Sequence, residues 1–441
     1  MKIAHRIAPR KKIEILIEES LDTFEQILSW AQQFNFISAL NSNSHMVEYG
    51  EYEWLIAVGN HSLDFENAPF EELYQHWDLK RDWLFGQLAY DLKNTIEDLE
   101  SNNSDHHHNP DIHFFIPETV FAFDGKQLVI ECLNDNPNEI WDRVNRHQST
   151  ADSQPPTSLN FKPTLSKEEY LEKIKTLQNH IQLGDIYEVN FCQEFIAENA
   201  DVEPLKMHAA LNKKTRAPFS TFQKNNTHYL SSGSPERYMR KTGNTVISQP
   251  IKGTAKRSQN QAEDLAIKKA LESSIKERAE NVMIVDLVRN DLSIAAADHS
   301  VRVEELFGVY TFPTVHQLIS TVSAEIHEDS NWGEVLKHSF PMGSMTGAPK
   351  VSAMQLIEKY EIFKRGLFSG AVGYITPLGD FDFNVIIRSV LYNSKSKYLS
   401  APVGGAITIL SKPEEEYEEC MLKLKAMQQA LESLKNNHKV R

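Results

Sequence analysis

The arrangement of apolar and polar positions changes near residue 160 and divides the chain into two regions. Residues 1–146 combine a helical stretch at 21–34 with short strand-like runs such as 54–58 and with polar loops. Residues 147–160, HQSTADSQPPTSLN, have the composition of a polar loop or linker. Over residues 161–437, long helical patterns alternate with β-rich segments, without an internal repeat.

Three amphipathic segments of the second region predict helices. In residues 167–195 a helix ends at Gly184, because glycine readily adopts the left-handed conformation of a helix C-terminus, and a strand follows. Residues 261–293 predict one long helix with an apolar far end. Residues 411–435 predict a C-terminal helix in which Ser411 is the N-cap and a glutamate three positions later completes a capping box.

Residues 227–254 predict a β-hairpin with its turn near Asn244. In such a hairpin the numbers of paired residues sum to about 487 or 488, which places Glu236 opposite Lys252 or one position away. On a surface these two side chains would form an ordinary ion pair, and in a cleft they would be an acid/base group beside a nucleophile. Lys252 itself either snorkels into water or is held in a pocket.

The composition is that of an acidic globular protein. The chain has 441 residues and a formal net charge of −15, which argues against nucleic acid as a partner because binding phosphates requires a basic face. No stretch approaches the roughly 20 apolar residues of a membrane span, and no apolar run resembles a signal peptide. Three widely spaced cysteines are typical of a reducing compartment. We therefore expect a cytoplasmic protein with no nucleic-acid or membrane partner.

Acidic residues recur on one face of each of two predicted helices. Glu277 and Glu280 are three positions apart, and Glu416, Glu419 and Lys423 stand at i, i+3 and i+7. If the two faces met in a cleft, their carboxylates would suit Mg²⁺, which takes one or two protein carboxylates and completes its shell with water and substrate oxygens. The same spacing is typical of a solvated helix face with weak salt bridges. The spacing alone leaves both interpretations open.

Three further features are suited to binding an anion. Residues 339–361 predict a glycine-bearing turn that runs into a helix, whose first N–H groups have no intrahelical partner. Residues 381–392 predict a nearly continuous apolar strand, and Arg388 within it requires an anionic partner from the protein or from a ligand. Gly404 and Gly405 offer backbone amides. Together these features predict a small polyanionic substrate.

Ten motifs along the chain resemble those of the chorismate-utilising enzymes. In order they are GDIYEVNFCQ, SGSPER, PIKGT, KERAENVMIVDLVRND, VHQLIST, FPMGSMTGAPK, GAVGYI, IIRSV, GGAIT and EYEECMLK. The family includes anthranilate, aminodeoxychorismate, isochorismate and salicylate synthases. The resemblance covers residues 160–430 and continues more loosely at 85–99. It implies an α+β fold in which two orthogonally packed β-sheets are flanked by helices, with residues 1–146 integrated into the same body.

The resemblance also implies how the acidic helices and the anion-binding features are used. Glu280 and Glu419 would be ligands of Mg²⁺, with Glu277 and Glu416 in support. The substrate would be chorismate, which carries two carboxylates. The residues expected to bind it are Thr346, Tyr374, Arg388, Gly404, Gly405 and Lys423.

Within the family, three positions favour the aminodeoxychorismate synthases. Members that add water to chorismate use a lysine base where this chain has Glu188. Anthranilate synthases typically carry a small residue in place of Lys252, whereas PIKGT and Asn190 fit the aminodeoxychorismate synthases. The resemblance implies that Lys252 adds to C2 of the ring while Glu236 manages the protons. His316 matches the histidine assigned as the acid/base in members that eliminate pyruvate.

The expected activity is replacement of the 4-hydroxyl of chorismate by an amino group, on the way to 4-aminobenzoate and folate. No cysteine lies in a glutaminase-type nucleophile motif. Ammonia is therefore expected from a separate glutamine amidotransferase subunit or from solution. Two alternatives are an anthranilate synthase component I and a non-catalytic protein that binds chorismate or assembles subunits.

Overall fold

Antiparallel strands dominate the structure and divide between two sheets. The computed structural model describes residues 9–17, 20–45, 49–147, 161–313 and 315–436. The predicted linker at 147–160 lies outside the described residues except for its first position.

The strands are numbered in chain order, and each ladder between neighbouring strands is antiparallel. They are β1 (Lys11–Leu16), β2 (Phe36–Asn41), β3 (Trp54–Gly59), β4 (Leu84–Leu88), β5 (Ile112–Phe115), β6 (Thr119–Phe123), β7 (Gln127–Cys132), β8 (Lys162–Pro163), β9 (Glu188–Ala197), β10 (Phe219–Asn225), β11 (His228–Ser234), β12 (Arg237–Thr242), β13 (Thr245–Gln249), β14 (Ile251–Lys256), β15 (Arg302–Thr311), β16 (Val315–Glu325), β17 (Gly347–Ala348), β18 (Ala371–Ile375), β19 (Phe381–Val385), β20 (Ser389–Asn393) and β21 (Tyr398–Ile407).

Helices cover the outer faces of the sheets. They are α1 (Ser20–Ala31), α2 (Pro69–Lys80), α3 (Lys93–Ile96), α4 (Pro137–Arg146), α5 (Lys167–Leu183), α6 (Pro204–Thr215), α7 (Gln261–Ser273), α8 (Ile275–Ser293), α9 (Trp332–Ser339), α10 (Lys350–Tyr360) and α11 (Pro413–Asn436). Prolines in the first turn start α2, α4 and α6, where the missing N–H is not needed. Among the helices of the described ranges, none is long and apolar enough to cross a membrane.

The two sheets differ in size and share the N-terminal part of the chain. The first has 12 strands in the order β1-β7-β6-β3-β2-β10-β11-β20-β21-β9-β17, with β8 paired to β9. The second has nine strands in the order β14-β16-β13-β12-β19-β18-β4-β5, with β15 paired to β16. β1–β3, β6 and β7 lie in the first sheet, while β4 and β5 lie in the second. The arrangement is α+β, as predicted.

Apolar side chains fill the space on the outer faces of the sheets and between them. One cluster joins the first sheet to α5, α6, α10 and α11, and another joins the second sheet to α2, α8 and α9. A third contains Cys192 and Leu391 from the first sheet together with Val372 from the second and Ile386, the residue after β19. The sheets are therefore packed against each other through buried side chains, which fixes the positions of β9 and β14 at one side of this interface.

Several elements form where local signals predicted them. α5 ends at Gly184, which has a φ of +87°. Thr242 pairs with Thr245 across the predicted hairpin turn. The glycine-bearing turn runs into α10, which begins at Lys350. These predictions succeed because each depends on residues that are adjacent in the sequence.

Two of the predicted helices differ in detail from the structure. The predicted helix at 261–293 is divided at Ser274, whose side chain caps α8 and gives α8 its own beginning. The predicted capping box at Ser411 is wrong. α11 begins at Pro413, and the Ser411 hydroxyl instead accepts a hydrogen bond from the backbone N–H of Thr408.

The predicted continuous strand at 381–392 is also wrong. It is two strands in different sheets, β19 in the second and β20 in the first. Arg388 has a φ of +51°, and at this left-handed residue the chain passes from one sheet to the other. The arginine therefore lies at the crossing between the sheets, on the side where the charged residues of the site are found.

Candidate active site

Charged side chains from several elements meet beside the edge of the first sheet. β9 supplies Glu188, β14 supplies Lys252, and the residue before β12 is Glu236. α8 supplies Glu277 and Glu280 from the second sheet's side. The carboxylates of Glu188, Glu280 and Glu236 all lie within electrostatic range of the Lys252 ammonium. We refer to these five residues as the acid–lysine cluster.

Lys252 is buried in an ion pair with Glu188. Its Nζ donates a hydrogen bond to Glu188 Oε1 at 2.6 Å, and the two side chains are 9 % and 1 % exposed. Burial works against the ammonium form, but the charge of Glu188, with those of Glu280 and Glu236, outweighs burial and raises the pKa of Lys252. The lysine therefore does not snorkel into water but is held as a cation inside the protein.

Glu236 is buried beside this pair and carries a perturbed carboxyl group. The Ser344 hydroxyl donates a hydrogen bond to Glu236 Oε1 at 2.7 Å. Burial raises the pKa of Glu236 to about 7, against the opposing effects of Ser344 and Lys252. A carboxyl group with this pKa can release and take up a proton near neutral pH.

The predicted cross-strand pairing of Glu236 with Lys252 is wrong. The hairpin has the predicted register, since Lys241 pairs with Val246. Pro250 then separates β13 from β14, and β14 pairs with β16 rather than with β12. Lys252 therefore lies near Glu236 without being its cross-strand partner, and it forms its ion pair with Glu188 of the first sheet.

α8 places two carboxylates against β14. A Cβ atom at Gly253 would lie 2.9 Å from Glu277 Oε2, so the glycine leaves the space that this carboxylate occupies. Burial raises the pKa of Glu280 to about 7, against the opposing charge of Lys252, and also raises the pKa of Glu277. Both carboxylates are therefore short of positive charge, which a bound cation would supply.

α11 forms the opposite wall of the cleft. Lys423 Nζ donates a hydrogen bond to the carbonyl of Gly404 at 2.6 Å and lies 2.7 Å from Glu419 Oε1. A Cβ atom at Gly405 would lie 3.4 Å from Glu416 Oε2 and 3.8 Å from Glu419 Oε1, so this glycine faces both carboxylates. The Glu419 side chain is 54 % exposed, which places it in the open part of the cleft.

The acidic residues of the two helices face a common space. Burial is the main cause of the raised pKa of Glu277, and the charge of Glu419 raises it further. The charge of Lys276 on α8 acts to lower the pKa of both Glu416 and Glu419 on α11. Burial works against ionised Glu419, but Lys423 and Arg388 outweigh it and lower the pKa of this carboxyl.

The carboxylates of α8 and α11 suit a cation that takes only some of its ligands from the protein. Within the described ranges, no group of three or more His, Cys, Asp or Glu side chains is close enough to hold a metal. A structural zinc site, which takes four protein ligands, does not match this pattern. Mg²⁺ fits it better, because one carboxylate from each wall, such as Glu280 and Glu419, would leave the remaining positions for water and substrate.

The guanidinium of Arg388 lies within electrostatic range of Glu419. Within the described part of the chain, its side chain has no hydrogen bond or ion pair, although its carbonyl accepts from the Gly233 N–H at 3.1 Å. Burial lowers the pKa of Arg388, while the charge of Glu419 opposes this effect. A largely desolvated cation of this kind is suited to a carboxylate ligand.

Two of the predicted site residues lie apart from the acid–lysine cluster. His316 Nε2 is 3.1 Å from Asp264 Oδ1, and its Nδ1 is 3.0 Å from Thr311 Oγ1, so neither partner belongs to the cluster. The ring of Tyr374 packs against Tyr52, Trp83 and Phe85. Tyr374 also lines a separate cavity of about 490 Å³.

The placement of Tyr374 corrects its predicted role. Tyr374 lies on the face of β18 that packs against the N-terminal strands of the first sheet, and it pairs with Asp382, toward the end of the β18–β19 ladder away from Arg388. The structure therefore does not bring Tyr374 together with Arg388 as a carboxylate ligand. The same separate cavity is also lined by Leu40 and Asn41 at the end of β2 and by Ser42 in the loop that follows.

The turn that carries Ser344 and Thr346 is fixed to β9. Asn190 donates from its side-chain amide to the Ser344 carbonyl at 2.9 Å, and its backbone N–H donates to the Thr346 carbonyl at 2.8 Å. Thr346 is fully buried, and its hydroxyl bonds to carbonyls of its own turn. Asn190 therefore holds the serine that in turn holds Glu236.

The buried ion pair that supports this turn is not predicted by any motif in the sequence. Arg365 donates to the carbonyls of Met345 and Asn190 at 2.7 and 2.8 Å, and it pairs with Glu361 at 2.6 Å. Both side chains of the pair are 1 % exposed. A glutamate and an arginine at i and i+4 were the only signal in the sequence, and that spacing is usually a surface pair.

Replacing Arg365 with alanine should lower the free energy of unfolding by about 3–5 kcal/mol, because Glu361 would be left as an uncompensated buried charge. Urea denaturation followed by circular dichroism measures this change. The matched control is Arg146→Ala, which removes an exposed i, i+4 partner of Asp142 and should cost less than about 0.5 kcal/mol. Equal losses in the two variants would show that the Arg365 pair does not support the fold.

Comparison with known proteins decides the family. The family model described as chorismate binding enzyme matches residues 14–429. The chain belongs to this family of chorismate binding enzymes. Aminodeoxychorismate synthase component 1 of Escherichia coli (strain K12) is 34 % identical over 350 residues, which is 79 % of this chain and 76 % of that protein. Anthranilate synthase component 1 of Aquifex aeolicus (strain VF5) is 31 % identical over 381 residues, 81 % of this chain and 76 % of that protein.

A solved structure confirms the fold class. Anthranilate synthase component I from Streptococcus pneumoniae TIGR4 superimposes with a TM-score of 0.73 at 24 % sequence identity, covering 97 % of this chain and 95 % of that one. This likeness shows the fold, and the α+β prediction with two sheets flanked by helices is confirmed.

Proposed function

We propose that this protein replaces the 4-hydroxyl of chorismate by an amino group and forms 4-amino-4-deoxychorismate, a precursor of 4-aminobenzoate and folate. The observation that carries the proposal is the buried Lys252, held at 2.6 Å by Glu188 and next to a Glu236 whose pKa is raised to about 7. A buried amine beside a group that exchanges protons near neutral pH is an arrangement suited to nucleophilic catalysis. The similarity to aminodeoxychorismate synthase component 1 supports the same activity.

Substrate binding is assigned to the cations of the cleft. Arg388 has no side-chain partner in the described ranges, and Lys423 lies at the mouth of the same space. One carboxylate of chorismate would pair with each, and the backbone near Gly404 and Gly405 would help to position the ring. In a protein with a net charge of −15, such local cations are needed to bind a dicarboxylate.

The cofactor is proposed to be Mg²⁺, held by Glu280 and Glu419 with Glu277 and Glu416 in support. When bound, it would compensate the charge of substrate oxygens and of the departing hydroxyl. The protein's own contribution is to orient the ring between the two helices and to supply the reacting groups.

Lys252 and Glu236 are proposed to perform the substitution in two steps. The neutral amine of Lys252 attacks C2 of the ring, both ring double bonds shift by one position, and the C4–O bond breaks as Glu236 gives its proton to the leaving hydroxyl, which departs as water. Ammonia then attacks C4, the bond between C2 and Nζ breaks, and Glu236 recovers a proton from the new ammonium group. The net reaction exchanges one ammonia for one water, and the enolpyruvyl group is retained.

Ammonia is proposed to come from a separate glutamine amidotransferase. The three cysteines are free and buried, and burial raises the pKa of each thiol, so none has the properties of a reactive nucleophile. Buried free thiols also suit the reducing cytoplasm, where we propose that the protein acts.

Anthranilate synthesis is the second candidate function, because the relative from Aquifex aeolicus is named anthranilate synthase component 1. It requires loss of the enolpyruvyl group through an acid/base residue. Both ring nitrogens of His316 are engaged by Asp264 and Thr311, which disfavours this role in the present chain.

Purified protein with chorismate, Mg²⁺ and an ammonium salt should give a product that retains the enolpyruvyl group, and glutamine should not replace ammonium. Mass spectrometry of the product and a coupled assay for pyruvate measure both points. Release of pyruvate in step with chorismate consumption would instead identify an anthranilate synthase, and binding without turnover would identify a non-catalytic protein. Turnover with glutamine alone would contradict the proposed separate amidotransferase.

A further inference from the structure

Glu188 is held rigidly at the start of β9 by two neighbouring strands. Its backbone pairs with Ala348 of β17, and the next residue, Val189, pairs with Ile407 of β21. A Cβ atom at Gly347 would lie 2.1 Å from the Glu188 carbonyl oxygen, so only a glycine permits this close approach. The carboxylate therefore projects from a fixed point rather than from a flexible loop.

The two oxygens of the Glu188 carboxylate have unequal surroundings. Oε1 accepts the hydrogen bond from Lys252 Nζ at 2.6 Å. Oε2 is buried and has no hydrogen-bond partner among the described residues. Leaving a buried carboxylate oxygen without a donor is unfavourable, and transfer of a proton to the group removes the unpaired charge.

The charges around Lys252 identify the acceptor for its proton. The carboxylates that act on Lys252 are Glu188 from β9, Glu236 from the loop before β12, and Glu280 and Glu277 from α8. Glu188 alone among the described residues forms an ion pair with Lys252. Glu236 is already bonded to Ser344, and Glu280 lies 3.9 Å from Lys276.

We propose that Glu188 is a catalytic residue that removes the proton from Lys252 before attack and returns it when the lysine is expelled. This inference rests on the proposed function, because it assumes that Lys252 is the nucleophile. It goes beyond that function in assigning two carboxylates to separate tasks. Glu188 serves the nitrogen of the lysine, and Glu236 serves the oxygen that leaves from C4.

The proton balance closes with these two groups. The proposed cycle begins with the Lys252 ammonium donating to the Glu188 carboxylate and with a proton on Glu236. Nζ gives one proton to Glu188 Oε1 and forms a bond to C2, and Glu236 gives its proton to the leaving hydroxyl. When ammonia attacks C4, Nζ leaves as a neutral amine and takes its proton back from Glu188, while Glu236 takes a proton from the C4 ammonium. Every group returns to its starting state.

The test measures the formation of the lysine adduct directly. Wild-type protein, Glu188→Gln and Glu188→Asp are mixed with chorismate and Mg²⁺ without ammonia, quenched at short times and mapped by mass spectrometry. The expected adduct has the mass of chorismate minus one water on the peptide that contains Lys252. We expect Glu188→Gln to slow its appearance by at least about 100-fold, within the usual contribution of acid/base catalysis, while the KM for chorismate changes by less than about threefold.

Controls separate a chemical role from a structural one. Glu188→Asp keeps a carboxylate and should form the adduct at least about tenfold faster than Glu188→Gln. Glu198→Gln makes the same substitution at an exposed position just beyond β9 and should react like the wild type. If Glu188→Gln does not fold, then Glu188→Ala with added formate replaces it. Restoration of the rate by formate but not by formamide supports the proposal, and no restoration overturns it.

The outcomes also distinguish this proposal from the proposed function. Adduct formation at equal rates in the wild type and in Glu188→Gln would overturn the role of Glu188 alone. A slow Glu188→Gln variant whose KM rises in proportion would show that Glu188 only shapes the site. Absence of any adduct at Lys252 in the wild type would instead refute the nucleophile, and the role of Glu188 would fall with it.

Discussion

Replacing Lys252 with arginine should lower the rate of chorismate amination by at least about 1,000-fold, equivalent to about 4 kcal/mol in the activation barrier. Arginine retains the positive charge and can still donate to Glu188, but its guanidinium remains protonated and cannot attack a carbon atom. Alanine is less suitable, because it would leave Glu188 as an unpaired buried charge at a cost of about 3–5 kcal/mol in stability. The arginine variant therefore separates nucleophilicity from charge.

Steady-state turnover with ammonium, beside mass spectrometry of the quenched protein, checks this expectation. Lys256→Arg is the matched control, because Lys256 lies on the same strand with an exposed side chain and should keep the rate within about twofold. Thermal unfolding of both variants should be close to that of the wild type. A rate for Lys252→Arg within about tenfold of the wild type, with no adduct on this peptide, would make Lys252 a structural cation.

Replacing either Glu280 or Glu419 with alanine should abolish the activation of turnover by Mg²⁺ and lower the rate by at least about 100-fold. Each helix supplies one of these carboxylates to the same cleft, and removing either would leave the proposed Mg²⁺ with a ligand from one wall only. Stability should change little, because Glu280 is not paired more closely than 3.9 Å and Glu419 is half exposed.

Titration of the rate against Mg²⁺ concentration, together with calorimetric binding of Mg²⁺ in the presence of chorismate, measures the effect. Glu418→Ala is the matched control, since Glu418 is the exposed neighbour of Glu419 on α11 and should leave both measurements unchanged. Normal activation by Mg²⁺ in both Glu280→Ala and Glu419→Ala would place these residues on a solvated face and remove the metal assignment.

The ion pair between Glu188 and Lys252 could not be predicted from the sequence. PIKGT predicts Lys252 as a candidate nucleophile, whereas the sequence distinguishes Glu188 only because water-adding relatives have a lysine at its position. Their ion pair joins β9 of the first sheet to β14 of the second, across 64 positions of sequence. No periodicity within either strand contains this information, since it depends on how the two sheets pack.

Arg388 and Tyr374 illustrate the same limit. The apolar run at 381–392 predicted one strand, but the left-handed backbone at Arg388 divides it between two sheets and exposes the guanidinium to the cleft. Tyr374 stands in a motif of the family, yet its ring packs beside Phe85 and Trp83, toward the end of the β18–β19 ladder away from Arg388. The packing of the neighbouring strands determines which side chains of a buried strand reach a site.

The sequence by itself determined the features that depend on nearby residues. These include the end of α5 at Gly184, the turn at 242–245, the helical faces that carry the four glutamates, and the ordered motifs of the family. Tertiary structure alone decided that the two acidic helices form opposite walls, that Arg365 and Glu361 are buried beneath the turn, and that Lys252 pairs with Glu188. The physical reason is range: caps and tight turns are fixed by contacts within a few residues, whereas ion pairs and sheet order are fixed by burial between segments far apart in the chain.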